Sequence, residues 1–175
     1  YVLPNLISFT SEEKRSEFIE GLRFVVGRHD VFRTFILSAG LSQAVQVVLR
    51  EADLTVGEIN LDTNLEILPQ IEEEIAPENL WIDPSQAPLM QVKIADDPAN
   101  DLYYLAYNYH HLMMDHIGLE KVQQEVVLYL SGQEELLSKP SLYRNFIGDT
   151  LNEEKLEESQ KYFSALYQDV ETPTY

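Results

Sequence analysis

The stretch that decides the fold is LYYLAYNYHHLMMDH, residues 102–116, in which an apolar run ends in a pair of histidines. Residues 102–109 are almost all apolar or aromatic on both sides of an extended chain, as is typical of a central strand. Two adjacent histidines on such a chain point to opposite sides, so only one of His110 and His111 faces a given cavity. Because catalytic groups commonly lie where strands end, this pattern predicts a site here.

Strand-like and helix-like patterns alternate through the rest of the sequence. Thr10 and Glu13 form a capping box, which predicts the start of a long amphipathic helix that ends near residue 28. Residues 31–37 and 43–50 are rich in β-branched and aromatic residues and are predicted as paired strands. Further strands are predicted at 6–9, 55–61 and 89–94, and further helices at 62–75, 117–130, 143–146 and 153–167. This mixture predicts an α+β fold, a layered α/β sandwich with a mixed, largely antiparallel sheet.

Two of the predicted helices carry further expectations. Pro69 is expected to bend or restart the helix over 62–75, because its ring breaks the helical hydrogen-bond pattern. The last helix is expected to bury Leu156, Phe163 and Leu166 on its apolar face.

Charge and composition exclude several classes of protein. Twelve basic residues face thirty acidic ones, for a formal net charge of −18. Such a surface repels phosphate backbones and anionic lipids, so we expect neither a nucleic-acid nor a membrane partner. The absence of cysteine excludes a disulfide scaffold and thiolate chemistry, and it agrees with the cytoplasmic location that we expect.

The histidine cluster allows several chemical interpretations. A histidine is the natural general base near neutral pH, but histidines beside a core strand are about as often hydrogen-bonded structural residues. His111, Asp115 and His116 could ligate a metal, although the helical His-x-x-x-His arrangement around a Glu is absent. His110 and Asp115 formally satisfy the His-x-x-x-x-Asp signature of glycerolipid acyltransferases. Those enzymes act at membranes, which the charge and hydropathy of this chain do not favour.

Four short motifs, in order and spacing, resemble condensation domains of nonribosomal peptide synthetases. HHLMMD, residues 110–115, resembles the active-site motif His-His-x-x-x-Asp-Gly of that family. RHDVFRT, residues 28–34, resembles its Arg-His-Glu-x-Leu-Arg-Thr motif. YRNF at 143–146 is similar to Tyr-x-Asp-Phe, and APL at 87–89 is similar to the small-Pro-Leu step that leads into the strand before the active site.

The resemblance implies an architecture and a reaction. Residues 1–168 would be the N-terminal lobe of two chloramphenicol acetyltransferase-like lobes, and residues 169–175 would start the linker to a missing C-terminal lobe. The domain would join a carrier-bound donor acyl thioester to a carrier-bound acceptor amine. Its implied partners are the donor and acceptor peptidyl carrier proteins, the C-terminal lobe and an adjacent adenylation domain. Phosphopantetheine belongs to the carriers, and no metal or diffusible cofactor is implied.

The same resemblance implies roles for single residues. His111 matches the catalytic histidine, which orients or deprotonates the acceptor amine or stabilises the tetrahedral intermediate, whereas His110 would be structural. Arg33 matches the family's partner for Asp115, in an architectural salt bridge. His116 stands where the family usually has Gly, close to the reaction chamber, and is expected to shape the substrate channel.

Two alternatives remain open. A coenzyme A-dependent O- or N-acyltransferase of the same superfamily would share the His-x-x-x-Asp core, from His111 to Asp115. A non-catalytic lobe could instead serve as a docking platform within an assembly line. We expect the isolated fragment to be inactive on each of these interpretations, because half of the reaction chamber is absent.

Overall fold

The computed structural model describes residues 1–168, and the chain divides into two compact units, Tyr1–Pro140 and Ser141–Tyr175. The strands are β1 (Val2–Leu3), β2 (Leu6–Phe9), β3 (Thr34–Leu37), β4 (Val45–Val48), β5 (Val56–Glu58), β6 (Met90–Asp97) and β7 (Leu102–His110). The helices are α1 (Glu12–Arg28), α2 (Ile67–Glu74), α3 (His116–Leu130), α4 (Tyr143–Thr150) and α5 (Glu153–Leu166). The predicted linker, residues 169–175, lies outside the described residues.

The main sheet of the first unit is centred on β7. One edge of β7 pairs antiparallel with β6, and β6 pairs in parallel with β5. The other edge of β7 pairs antiparallel with β1 and β2, which follow each other along it. The predicted mixed, largely antiparallel sheet is therefore confirmed.

Helix α1 forms as its apolar stripe predicts, but its cap differs by one residue. Ser11, rather than Thr10, is the N-cap, and its hydroxyl accepts a hydrogen bond of 3.2 Å from the Lys14 N–H. The predicted pairing of Thr10 with Glu13 is therefore wrong, because the hydroxyl that binds the third helical N–H belongs to the next residue.

Helices α1 and α3 share a core with one face of β7. Side chains of β7 at odd-numbered positions pack against buried residues of both helices. This core includes Leu22, Val25, Val26, Leu105, Tyr107, Tyr109, Val122 and Val126. Two helices therefore cover this face of the strand that leads to the histidine pair.

Helix α2 covers the opposite face of the sheet and begins later than predicted. Its first residue is Ile67, and Pro69 lies in its first turn. A proline is tolerated there because the first N–H groups of a helix have no partner within it. Of the two predicted effects of Pro69, a bend or a restart, the structure has a helix that starts beside it. Its buried side chains meet the even-numbered side of β7, in a cluster of Ile67, Ile71, Ile75, Ala95, Tyr104 and Ala106.

The predicted pairing of strands after α1 is confirmed, with a shorter first strand. Strand β3 runs antiparallel to β4, and the two form a separate two-stranded sheet. The segment Asp30–Arg33 is a 3-10 turn rather than the start of the strand. The Thr34 hydroxyl closes that turn by donating a hydrogen bond of 2.8 Å to the Asp30 carbonyl.

The second unit contains α4 and α5. The predicted burial of the apolar face of α5 is wrong for the described residues, since Leu156, Phe163 and Leu166 are 50%, 52% and 55% exposed. A two-helix unit offers too little surface to cover such a face. In the described part of the chain, none of the helices has both the length and the apolar character needed to cross a membrane.

Candidate active site

The histidine pair lies where β7 passes into a short turn that leads to α3. The His110 N–H donates to the Leu89 carbonyl at 2.9 Å, which extends the pairing with the neighbouring strand. The His111 N–H donates to the Tyr1 carbonyl at 3.0 Å on the other edge. The Met113 N–H closes the turn on the His110 carbonyl at 3.0 Å. Backbone hydrogen bonds on both sides therefore fix the start of the turn.

The rest of the turn is anchored by burial. Met113 and Met114 are 7% and 8% exposed and belong to the core shared by α1, α3 and β7. Gly118, in the first turn of α3, allows the helix to approach this segment closely. A Cβ atom at Gly118 would lie 2.7 Å from the Cβ of Met114, which is closer than real side chains come. Gly118 follows Asp115 by three residues, and this spacing is the sequence feature that could have predicted the contact.

His110 is partly buried and hydrogen-bonded. Its Nδ1 accepts a hydrogen bond of 3.1 Å from the Leu112 N–H, so the neutral ring carries its proton on Nε2. Burial lowers the pKa of His110 below its usual 6.5. The ring is therefore neutral near pH 7 and helps to hold the turn.

His111 differs from its neighbour because its side chain has no hydrogen-bond partner within residues 1–168. Its ring is partly buried and packs against the Tyr1 ring, with 4.7 Å between centroids and an angle of 44° between planes. Neither ring nitrogen is thus engaged by another described residue. An imidazole in this state can accept a proton or donate one.

Asp115 and Arg33 are not brought together, so the predicted ion pair is not formed in this structure. Asp115 is exposed and is the N-cap of α3, where its carboxylate accepts a hydrogen bond of 2.9 Å from the Gly118 N–H. This hydrogen bond lowers the pKa of Asp115. Arg33 instead donates through Nη1 to the carbonyls of Leu49 and Arg50, at 2.5 and 2.9 Å. In this arrangement the Asp115 carboxylate is in solvent and already has a backbone partner, and its salt bridge with Arg33 stays a prediction.

Two other residues of the RHDVFRT motif form the link between α1 and α3. Arg28 Nε lies 3.0 Å and His29 Nε2 lies 2.8 Å from the same oxygen of Glu125 in α3. Arg28 also donates to the Ser138 carbonyl. This cluster lies at the end of α1 and attaches α3, the helix that follows the histidine turn, to the rest of the unit.

The remaining predicted site residues occupy different positions. His116 is the first residue of α3 and is exposed, beside the Asp115 cap. The YRNF segment opens α4 in the second unit. Within residues 1–168, no three or more His, Asp or Glu side chains come together in a way that could hold a metal ion, so His111, Asp115 and His116 form no such group.

Asn108 is a residue of this region that the sequence reasoning missed. It lies on β7 two residues before His110, on the same face of the strand, and it is completely buried. Neither its Oδ1 nor its Nδ2 has a hydrogen-bond partner in the described part of the chain. The available signal was a single amide side chain within an otherwise apolar run.

The architecture and the site together define a class of protein. A mixed sheet covered by α1 and α3, with a histidine pair at the end of its central strand, is a chloramphenicol acetyltransferase-like lobe. The chain belongs to the condensation domain family, whose model matches residues 1–174. This match confirms the resemblance stated from the four motifs.

Curated relatives agree with this assignment. Malpinin synthetase and malpibaldin synthetase, both from Mortierella alpina, are 31% and 30% identical over 175 and 176 residues. The matches cover 99% and 100% of this chain but only 2% and 3% of those proteins. Tyrocidine synthase 2 from Brevibacillus parabrevis is 30% identical over 101 residues, which are 56% of this chain and 3% of that protein. The chain therefore corresponds to a small part of each relative.

Solved structures share the fold at lower identity. The condensation domain from the Monacolin K polyketide synthase MokA matches with a TM-score of 0.73 and 16% identity, over 99% of this chain and 38% of that one. The epimerization domain from the third module of tyrocidine synthetase B matches with a TM-score of 0.71 and 18% identity, over 100% of this chain and 41% of that one. The chain thus spans about two fifths of each of these solved chains.

Proposed function

We propose that this chain is the N-terminal lobe of a condensation domain that forms an amide bond in a nonribosomal peptide synthetase. The reaction joins a donor acyl thioester on one carrier protein to an acceptor amine on another. The observation that carries the proposal is the state of His111, a partly exposed imidazole at the end of the central strand with no hydrogen-bond partner in the described residues. Membership of the condensation family supplies the reaction class.

The proposed role of His111 is to accept a proton from the acceptor amine. The amine nitrogen attacks the thioester carbonyl carbon, and a tetrahedral intermediate forms as the C–N bond is made. The proton taken by the imidazole then passes to the departing sulfur as the C–S bond breaks. The products are an amide and a free thiol on the donor arm, and His111 returns to its neutral form.

The turn that carries His111 supports this role by its rigidity. Its position is fixed by backbone hydrogen bonds at both strand edges, by the two buried methionines and by the Asp115 cap on α3. We assign Asp115 as a positioning residue that acts through the start of α3. Holding the imidazole in place matters because placement of two tethered substrates can supply much of the rate enhancement.

The remaining parts of the proposal concern what lies outside this chain. The donor and acceptor peptidyl carrier proteins would deliver their substrates on phosphopantetheine arms, and a C-terminal lobe would complete the chamber. The adenylation domain would be the neighbour that loads the acceptor carrier. His116, exposed beside the turn, would contact the substrate channel. The lobe by itself would be inactive.

The test is a substitution in the complete condensation domain. With loaded donor and acceptor carriers, His111→Ala should slow single-turnover amide formation by about 10²-fold or more, the usual contribution of a positioned general base. Residual product is expected, because the carriers still bring the substrates together. Product is measured by mass spectrometry of the acceptor carrier.

The matched control is Glu17→Ala, which changes an exposed residue on α1. Wild-type and both variants are compared for folding by circular dichroism before rates are compared. A rate for His111→Ala equal to that of Glu17→Ala would refute the catalytic role and would favour the docking lobe. Acyl transfer from coenzyme A thioesters to a free alcohol or amine, without any carrier, would identify the alternative acyltransferase.

A further inference from the structure

A concave region of the first unit that includes no residue of the histidine turn has no part in the proposed chemistry. It is a cavity of about 530 Å³ between the C-terminal half of α1 and the segment that follows β4. Arg23 and Gly27 of α1 form one wall, Arg33 forms another, and residues 50–55 complete it. Arg33, which the sequence predicted as the partner of Asp115, therefore lines this cavity.

The cavity concentrates positive charge in a strongly acidic chain. Three of the twelve basic residues of the sequence, Arg23, Arg33 and Arg50, line it. Glu51 and Asp53 also contribute to the lining, so its formal charge is three minus two, or +1. Because the whole chain has a formal charge of −18, the residues outside the cavity together carry −19. Such a difference draws small anions to this point rather than to the surrounding surface.

Arg33 is held in a fixed position with donors to spare. Its Nη1 is bound by the carbonyls of Leu49 and Arg50, which fixes the plane of the guanidinium. Its Nε is buried and has no hydrogen-bond partner in the described part of the chain. Nη2 also forms no hydrogen bond within residues 1–168. Because Nε is closed to solvent, the Arg33 donors that remain for an anion in the cavity are those of Nη2.

The other two arginines differ in how free they are. Arg50 has no side-chain partner among the described residues, so its guanidinium can turn toward a ligand at little cost. Arg23 donates through Nη1 to Glu20, at 2.5 Å, on the same helix. That pair is exposed, and an exposed ion pair is weak enough for Arg23 to share its remaining donors.

We propose that this cavity binds a phosphate-class oxyanion, with Arg33 as the fixed donor and Arg50 as the mobile one. A planar guanidinium pairs with two oxygens of such an anion at once. A phosphate carries up to two negative charges and three strong acceptor oxygens, which suits a site lined by three arginines. This proposal does not depend on the amide-forming reaction, because no part of it involves the histidine turn.

The test measures binding of inorganic phosphate to the full chain by isothermal titration calorimetry, with ionic strength held constant by sodium chloride. Wild-type protein should bind phosphate saturably. Arg50→Gln removes one charged donor and should weaken binding by about tenfold. Asp53→Asn removes a repelling carboxylate and should strengthen it.

The matched control is Arg144→Gln, an identical change at an exposed residue of α4 outside the cavity, which should bind phosphate like wild type. Equal binding by Arg50→Gln and Arg144→Gln would overturn the proposal, as would heat that sodium chloride alone reproduces. A parallel titration with phosphopantetheine separates two sources of the same chemistry. If phosphopantetheine binds more tightly than inorganic phosphate, the site takes a phosphate on an organic carrier. If the two bind equally, the site takes the free anion.

Discussion

Asn108 departs from ordinary packing in the interior of the first unit. It is fully buried between apolar neighbours on β7, and both polar atoms of its amide lack a partner in the described residues. An unpaired buried amide costs about 1–3 kcal/mol relative to an apolar group of the same shape. Asn108 therefore lowers the stability of the strand that carries the histidine pair.

Leucine has nearly the outline of asparagine and no polar atoms, so Asn108→Leu should raise the free energy of unfolding by about 1 kcal/mol. Urea denaturation followed by circular dichroism measures this change. Asn108→Asp is the opposing control and should destabilise the protein strongly, because it buries a charge without a partner. A clear loss of stability in Asn108→Leu would mean that the amide forms hydrogen bonds that are worth more than its burial costs.

At the scale of elements, the contact between α1 and α3 depends on a glycine. A Cβ atom at Gly21 would lie 2.8 Å from Cγ1 of Val126, a side chain of α3 that is completely buried. A β-branched side chain in a helix has essentially one allowed rotamer and cannot move aside easily. The two helices can therefore approach this closely only because residue 21 has no side chain.

Gly21→Ala should lower the free energy of unfolding by about 1–3 kcal/mol, the usual cost of overpacking a core. Gly27→Ala is a matched control on the same helix, because a Cβ atom there meets nothing within 4 Å. It should be neutral or should stabilise α1 by up to about 1 kcal/mol, since alanine favours helix over glycine. Both are measured by thermal unfolding, and equal effects of the two changes would contradict the close α1–α3 contact.

The elements that could be predicted best from the sequence are those with long apolar patterns, which indicate burial. Strand β7 was predictable because an apolar run on both sides of a strand leaves few alternatives, and α1 because its stripe is long. The late start of α2 depends on where Pro69 is tolerated, which is a matter of local backbone geometry. The exposure of Phe163 could not be predicted, because periodicity identifies an apolar face without saying whether anything covers it.

The site also contains features that could be predicted from the sequence and features that could not. The turn at His110 and His111 follows from a strand that ends in polar residues. The capping of α3 by Asp115 was not predicted, because the carboxylate was assigned to an ion pair instead. The orientation of the Arg33 side chain could not be predicted from the sequence. Its possible hydrogen-bond partners are distant in sequence and come near only in the folded chain. Arg33 donates to the carbonyls after β4 and lines a cavity that no sequence pattern predicted.

At the scale of the whole molecule, the net charge of −18 opposes compactness through repulsion among surface carboxylates. Raising ionic strength from about 0.01 M to about 0.15 M shortens the screening length from about 30 Å to about 8 Å. We therefore expect sodium chloride over this range to raise the melting temperature by a few degrees, which corresponds to about 1 kcal/mol for a chain of this size. Differential scanning calorimetry checks this prediction, and a melting temperature that stays constant or falls would contradict it.

Tyr1 lies in direct contact with the residue proposed to do the chemistry, through its carbonyl and through its ring. Replacing Tyr1 by alanine would remove the aromatic ring beside the imidazole and leave the His111 rotamer less restricted.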